Sequence, residues 1–221
     1  MEPDNNSNEI EKYNAAGDAP DKKRKINLPN KLTVFRIILV PVIMVFVLLP
    51  ESDILNVWPK IFAAALFLIA SLTDFIDGVL ARKLNLITDF GKFMDPLADK
   101  FLVAGAMIAI TAASSFSEIR VFSACATAVI VFRDLAVNSI RVVASSADGN
   151  VIAANFAGKL KTFSQCVCIM TIFLEEAVLS RNIGTPPYLF SYITIAVMCL
   201  LTIYSGFVYL KTYWRYIDPA K

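Results

Sequence analysis

Six apolar stretches, each close to the roughly 20 residues that a helix needs to cross a bilayer, follow one another along a chain of 221 residues. They lie near 32–49, 58–80, 97–115, 121–143, 162–180 and 188–210. A soluble core of this size has no use for them, and 57% hydrophobic residues goes beyond ordinary soluble composition. The expected fold is all-α and integral to the membrane, with six transmembrane helices in one domain over residues 27–221. Pro29 and Asn30 suit the start of the first helix. "LPESD" follows that helix, and "GTPPY" separates the fifth from the sixth. Residues 1–26 are polar and lack the apolar region of a secretory signal. They read as a disordered cytoplasmic tail ending in Lys22, Lys23, Arg24 and Lys25.

Charge placement orients the chain. Lys60, Arg120 and Arg181 each stand alone in a turn, whereas the other 18 of 21 Lys and Arg lie in the tails, in the 81–100 and 141–161 connections, or nearby on helices. Such an excess marks the cytoplasmic face, so both termini are expected there. An even number of crossings agrees. The net charge of +2 leaves no nucleic-acid footprint, and the expected surroundings are a lipid bilayer. There is no histidine, which removes His bases, His metal ligands and Ser-His-Asp triads together. Cys125, Cys166, Cys168 and Cys199 lie in apolar stretches without zinc-site pairing and read as small hydrophobes.

One stretch breaks the apolar pattern: "SLTDFIDGVLARKLNLITDFGKFMDPLADK", residues 71–100. Asp74, Gly78 and Arg82 recur at i, i+4 and i+8, with Asp77 and Ala81 at i+3 and i+7, which puts them on one broad helix face. Gly91, Asp95 and Asp99 repeat that spacing. A short connection would let the two helices run antiparallel with these faces opposed, so that four carboxylates converge. At roughly 2.5–3.5 kcal/mol for each intramembrane charge, four approach about 10 kcal/mol before repulsion is counted. Arg82 offsets one. Two divalent cations would neutralise all four, and all-oxygen ligation favours Mg²⁺ or Mn²⁺. A two-metal site suits phosphoryl transfer. Arg82 would hold phosphate, and Gly78, Ala81 and Gly91 leave room for a bulky ligand against the backbone. Asp89 falls outside the repeat and reads as a cap or surface charge. A divalent-cation transporter is the rival from another class, because intramembrane acids also line ion paths. These acids cluster on one side, which speaks against it.

Written as a pattern, the stretch is D-x2-D-G-x2-A-R-x8-G-x3-D-x3-D, eight defined residues over 26 positions. It resembles the signature of the CDP-alcohol phosphotransferase family at every fixed position. That resemblance implies a six-helix membrane fold, transfer of a CDP-activated group to an alcohol, release of CMP, divalent metal and a homodimer. It also implies that Asp74, Asp77, Asp95 and Asp99 surround the metals. Asp99 would take the proton from the attacking hydroxyl, a role that suits a carboxylate beside the metals where histidine is lacking. Gly78 and Ala81 would border the cytidine, with Asp74 and Gly91 beside the nucleotide. Arg82 would hold the diphosphate.

Three further segments narrow the acceptor. "NLPNKLTVFRIILVP" at 27–41, "FRDLAVNSIRVVA" at 132–144 and "GKLKTFSQ" at 158–165 resemble the bacterial phosphatidylglycerophosphate synthases of that family. Arg36, inside an apolar run, needs a partner: a structural ion pair, or contact with substrate or nucleotide, with Thr33 a candidate on the same turn. Arg133 and Arg141 point about 80° apart on one helix. Lys159 and Lys161 diverge, so one suits phosphate while the other snorkels. A phosphate monoester such as glycerol 3-phosphate would account for Arg36 and these four; positive-inside bias and attraction to anionic lipid is the plainer account. Asp134 stands where those synthases commonly carry Glu, and Arg-Asp resembles the related cardiolipin synthases, which use phosphatidylglycerol. The expected reaction is phosphatidyl transfer from CDP-diacylglycerol to glycerol 3-phosphate. Its expected setting is a bacterial cytoplasmic (inner) membrane, with the site facing the cytoplasm.

Overall fold

The computed structural model describes residues 28–49, 58–83, 89–148, 156–179 and 187–217, with backbone alone at 28–29, 74–83, 89–90, 92, 145–148, 179 and 215–217. The tail 1–26 and Arg181 lie outside the described residues. Among those described, six long helices and no strand occur: α1 Leu28–Leu48, α2 Trp58–Lys83, α3 Asp89–Ala112, α4 Arg120–Asp148, α5 Phe156–Leu174 and α6 Leu189–Ile217. A 3₁₀ turn, Ser114–Phe116, follows α3, and one π-helical stretch, Glu175–Leu179, extends α5.

The helices follow the apolar stretches, and α3 also takes in the polar residues before 97: it begins at Asp89, so Gly91, Asp95 and Asp99 lie on one helix as their spacing predicts. Pro96 lies within α3 and cannot donate to the carbonyl four residues back.

Pairwise packing closes a ring in the order α1, α2, α5, α6, α4, α3 and back to α1. The two motif-bearing helices, α2 and α3, touch each other sparsely and instead flank α1. On α1 the inward stripe is Asn30, Thr33, Arg36, Val40, Ile43 and Val47, all buried at the three-and-four spacing of one helix face. It meets α3 closely at Gly105, where an added Cβ would stand 2.5 Å from Val40 Cγ1. Phe67, Phe116 and Phe173 tie α2, the 3₁₀ turn and α5 together, with Phe67 and Phe173 edge-to-face at 6.3 Å.

The end of the bundle nearest the 3₁₀ turn is closed by polar side chains. Lys60, expected in a turn, lies inside α2 and is buried. Its ammonium donates to the carbonyls of Val47 at 2.7 Å and Leu49 at 3.4 Å, satisfying the C-terminal end of α1 where a cation is favoured. Glu175 does the converse for α6. Its carboxylate accepts from the backbone N–H groups of Phe190 (3.1 Å) and Ser191 (2.6 Å) and from the Ser191 hydroxyl.

The outer faces are apolar on every helix. Phe35, Phe62, Phe101, Phe132, Phe163 and Phe207 are all exposed, Phe132 by 76%. A soluble surface does not carry so many. Among the described residues, Asn30–Leu48, Arg120–Ala144 and Leu189–Trp214 are long and apolar enough to cross a membrane, and Trp58–Thr73 is a shorter apolar stretch. This is a membrane protein.

Candidate active site

At the other end of the ring, α3, α4, α5 and α6 surround a cleft of about 720 Å³, with Ser71 of α2 at its edge. Asp99 and Lys100 enter from α3, Arg133, Asp134 and Arg141 from α4, Lys159 and Lys161 from α5, and Tyr209 from α6. Residues separated by more than 100 positions in the chain thus share one wall.

The cations differ in what already holds them. Lys161, 6% exposed, donates to both Asp134 oxygens at 2.7 and 2.8 Å. Arg133 donates through Nη1 to Asp134 Oδ1 at 3.1 Å and through Nη2 to Ser205 Oγ at 2.5 Å. Its buried Nε–H has no hydrogen-bond acceptor among the described residues. Arg141 donates to the Tyr209 hydroxyl at 2.5 Å, and both guanidinium carbons lie over the Tyr209 ring, at 5.4 Å for Arg133 and 5.0 Å for Arg141. No described residue forms an ion pair with Lys159 or Lys100. Asp134 therefore takes up one cation fully and shares a second, and the cleft keeps an excess of positive charge suited to an anion.

The carboxylate motif is placed in part. Asp74, Asp77, Gly78, Ala81 and Arg82 fall on the last turns of α2, and their side chains lie outside the described residues. Asp95 and Asp99 stand one turn apart on α3. Asp95 is exposed and accepts from Thr33 Oγ1 at 2.6 Å, so α1 braces the motif. No other described residue donates to Asp95, which leaves it lone pairs for a cation. Gly91 is buried on α3. Arg36, one turn beyond Thr33 on α1, is fully buried and is not part of the cleft wall. No group of three or more Asp, Glu, Cys or His comes together among the described residues, and Asp74 and Asp77 are outside that set.

Residues 26–207 match the CDP-alcohol phosphatidyltransferase family. The chain belongs to that family. It is 37% identical over 201 residues to a CDP-diacylglycerol–glycerol-3-phosphate 3-phosphatidyltransferase of Bacillus subtilis, covering 88% of this chain and 98% of that one. Proteins of the same name match from Wigglesworthia glossinidia brevipalpis, at 31% identity over 86% of this chain and 97% of the relative, and from Salmonella choleraesuis, at 32% over 85% and 94%.

Within this CDP-alcohol phosphatidyltransferase, the cleft includes residues that sequence reasoning passed over. Lys100 directly follows the last Asp of the motif, and its place on the same helix was available as a signal. Tyr209 and Ser205 on α6 gave none, because their partners on α4 lie 68 and 72 residues away. Asp134, read as a marker of the acceptor, is the counter-ion of Lys161 across 27 residues.

Proposed function

We propose that this protein transfers the phosphatidyl group of CDP-diacylglycerol to glycerol 3-phosphate, giving phosphatidylglycerophosphate and CMP. The observation that carries the reading is the gathering of Asp99 with Lys100, Arg133, Arg141, Lys159 and Lys161 around one cleft. A carboxylate beside that much positive charge suits an acceptor with both a hydroxyl to deprotonate and a phosphate to hold. The relatives' name specifies the same acceptor, and Asp134, engaged by Lys161, needs no lipid acceptor to explain it.

The acceptor enters the cleft with its phosphate on Arg141, Lys159 and Arg133, while Lys161 is held back by Asp134. Asp99 takes the proton from the primary hydroxyl, whose oxygen bonds to the phosphorus carrying diacylglycerol. The bond from that phosphorus to the bridging oxygen breaks, and CMP leaves with the electron pair. Arg82 neutralises the departing phosphate, and Asp74, Gly78, Ala81 and Gly91 border the nucleotide. Arg36, buried on α1, stands outside the cleft wall, whereas Thr33 on the same helix reaches Asp95.

An oxygen-only donor set with an accessible Asp95 fits hard divalent cations. Asp74, Asp77, Asp95 and Asp99 would hold two, Mg²⁺ or Mn²⁺. Bound there, the ions supply charge neutralisation to the diphosphate and to the attacking and leaving oxygens. All six helices cross a bacterial inner membrane, both termini and the cleft face the cytoplasm, and the unit is a homodimer. Positive-inside bias supports that orientation.

The test is product formation by purified protein and by Asp99→Asn. Wild type forms phosphatidylglycerophosphate from glycerol 3-phosphate. Asp99→Asn loses about 10²–10⁴ in kcat, the usual contribution of a positioned base, and still folds. Near-wild-type turnover in the variant would remove the assignment of the base, and no product from wild type would remove the function.

A further inference from the structure

We propose that Tyr209 is a positioning residue for the acceptor's phosphate, holding Arg133 and Arg141 at the cleft wall without neutralising them. The inference rests on the acceptor reading above and extends it to α6, which supplies none of the residues expected from sequence. Two guanidinium groups over one ring repel each other, and something must offset that repulsion. The electron-rich face of the ring attracts both cations. The hydroxyl also accepts from Arg141 at 2.5 Å. Among the described residues, this is the only hydrogen bond that Arg141 makes, so most of its N–H groups stay available to an anion.

A carboxylate could hold the same arginine, but it would cancel the charge. Asp134 does this to Lys161 in the same cleft, meeting it with both oxygens. Tyrosine orients a guanidinium and carries no charge of its own. The cleft thus contains Lys161 tied to an acid, Arg133 shared between that acid and the ring, and Arg141 steered by the neutral ring alone.

Tyr209 is itself well fixed. It is buried and stacks against Tyr213 with ring centroids 6.0 Å apart. Packed in one cluster with Tyr213 of α6 and Val137 and Ala144 of α4, the ring can impose a fixed position on flexible arginine side chains, so less ordering remains to be done when phosphate binds.

Steady-state kinetics of wild type, Tyr209→Phe, Tyr209→Leu and Arg141→Met, with each substrate varied in turn, test the proposal. Tyr209→Phe keeps the ring and loses the hydroxyl, and its KM for glycerol 3-phosphate should rise about threefold. Tyr209→Leu loses both, and the rise should be about tenfold, the span expected of a cation–ring contact plus a hydrogen bond. The KM for CDP-diacylglycerol should stay within about twofold in both, because the nucleotide side is untouched. If Tyr209→Leu does not fold, the Phe variant decides alone. Wild-type KM for glycerol 3-phosphate in the Tyr209 variants, alongside a raised KM in Arg141→Met, overturns the role of Tyr209 and leaves the acceptor reading standing. A parallel rise for both substrates also overturns it, since that marks general damage to the fold. An unchanged KM in Arg141→Met overturns the acceptor reading and this inference with it.

Discussion

Asp134 accepts hydrogen bonds from Lys161 at 2.7 and 2.8 Å and from Arg133 at 3.1 Å, and the side chains of the tighter pair are only 7% and 11% exposed. Breaking such a pair leaves a buried ammonium without its counter-charge, which costs far more than the pair contributes. Asp134→Asn should therefore lower stability by about 3 kcal/mol, read as earlier thermal unfolding in detergent. Asp134→Glu should recover most of the loss. An Asn variant as stable as wild type would show that the pair is solvated and that Lys161 is free for substrate. From sequence, Asp134 pointed to a lipid acceptor, because its partner lies 27 residues away and no local pattern connects them. The carboxylates were more legible. Their three-and-four spacing is a property of a single helix, and helical geometry alone places Asp95 and Asp99 one turn apart on α3. Whether Asp74 and Asp77 meet them depends on the packing between helices.

At the scale of elements, the six helices were legible because each apolar stretch has to be satisfied within its own backbone hydrogen bonds. The spacing of Gly91, Asp95 and Asp99 also showed that the motif winds into α3, which starts at Asp89. What the sequence did not reveal is that Lys60, expected in a turn, lies inside α2. Nor did the order of helices in the chain reveal their neighbours. α2 and α3 follow one another and bear the two halves of the motif, yet each packs chiefly on other helices. Close approach of α1 and α3 at Gly105 sets one side of that arrangement. Gly105→Ala puts a methyl 2.5 Å from Val40 Cγ1, and a β-branched side chain in a helix has little freedom to turn away. Overpacking of this kind should cost about 1–3 kcal/mol. Val40→Ala in the same chain should restore part of that loss, which a double-mutant cycle measures. Unchanged stability in the Gly105→Ala variant would mean that the two helices separate easily.

As a whole molecule, the protein is a ring of helices with apolar outer faces and two unlike ends. One end is closed by Lys60 and Glu175, each satisfying the terminus of a helix. The other opens into the cleft beside the carboxylate motif. The difference separates a rigid seal from a place where charged substrates can enter. It also argues against an ion path, because the buried acid at the seal, Glu175, caps α6 and Glu176 accepts from the Tyr188 hydroxyl, so neither continues a line from Asp95 and Asp99.

The central claim is that the aspartates hold divalent metal beside a cleft that selects a phosphorylated alcohol. The measurement that tests it most directly is CMP release by the purified protein from CDP-diacylglycerol, with Mg²⁺ or a chelator, offering glycerol 3-phosphate or phosphatidylglycerol. The account predicts release with glycerol 3-phosphate only, abolished by the chelator and restored by added Mg²⁺ or Mn²⁺. Release that persists without metal, or that requires phosphatidylglycerol, would contradict it.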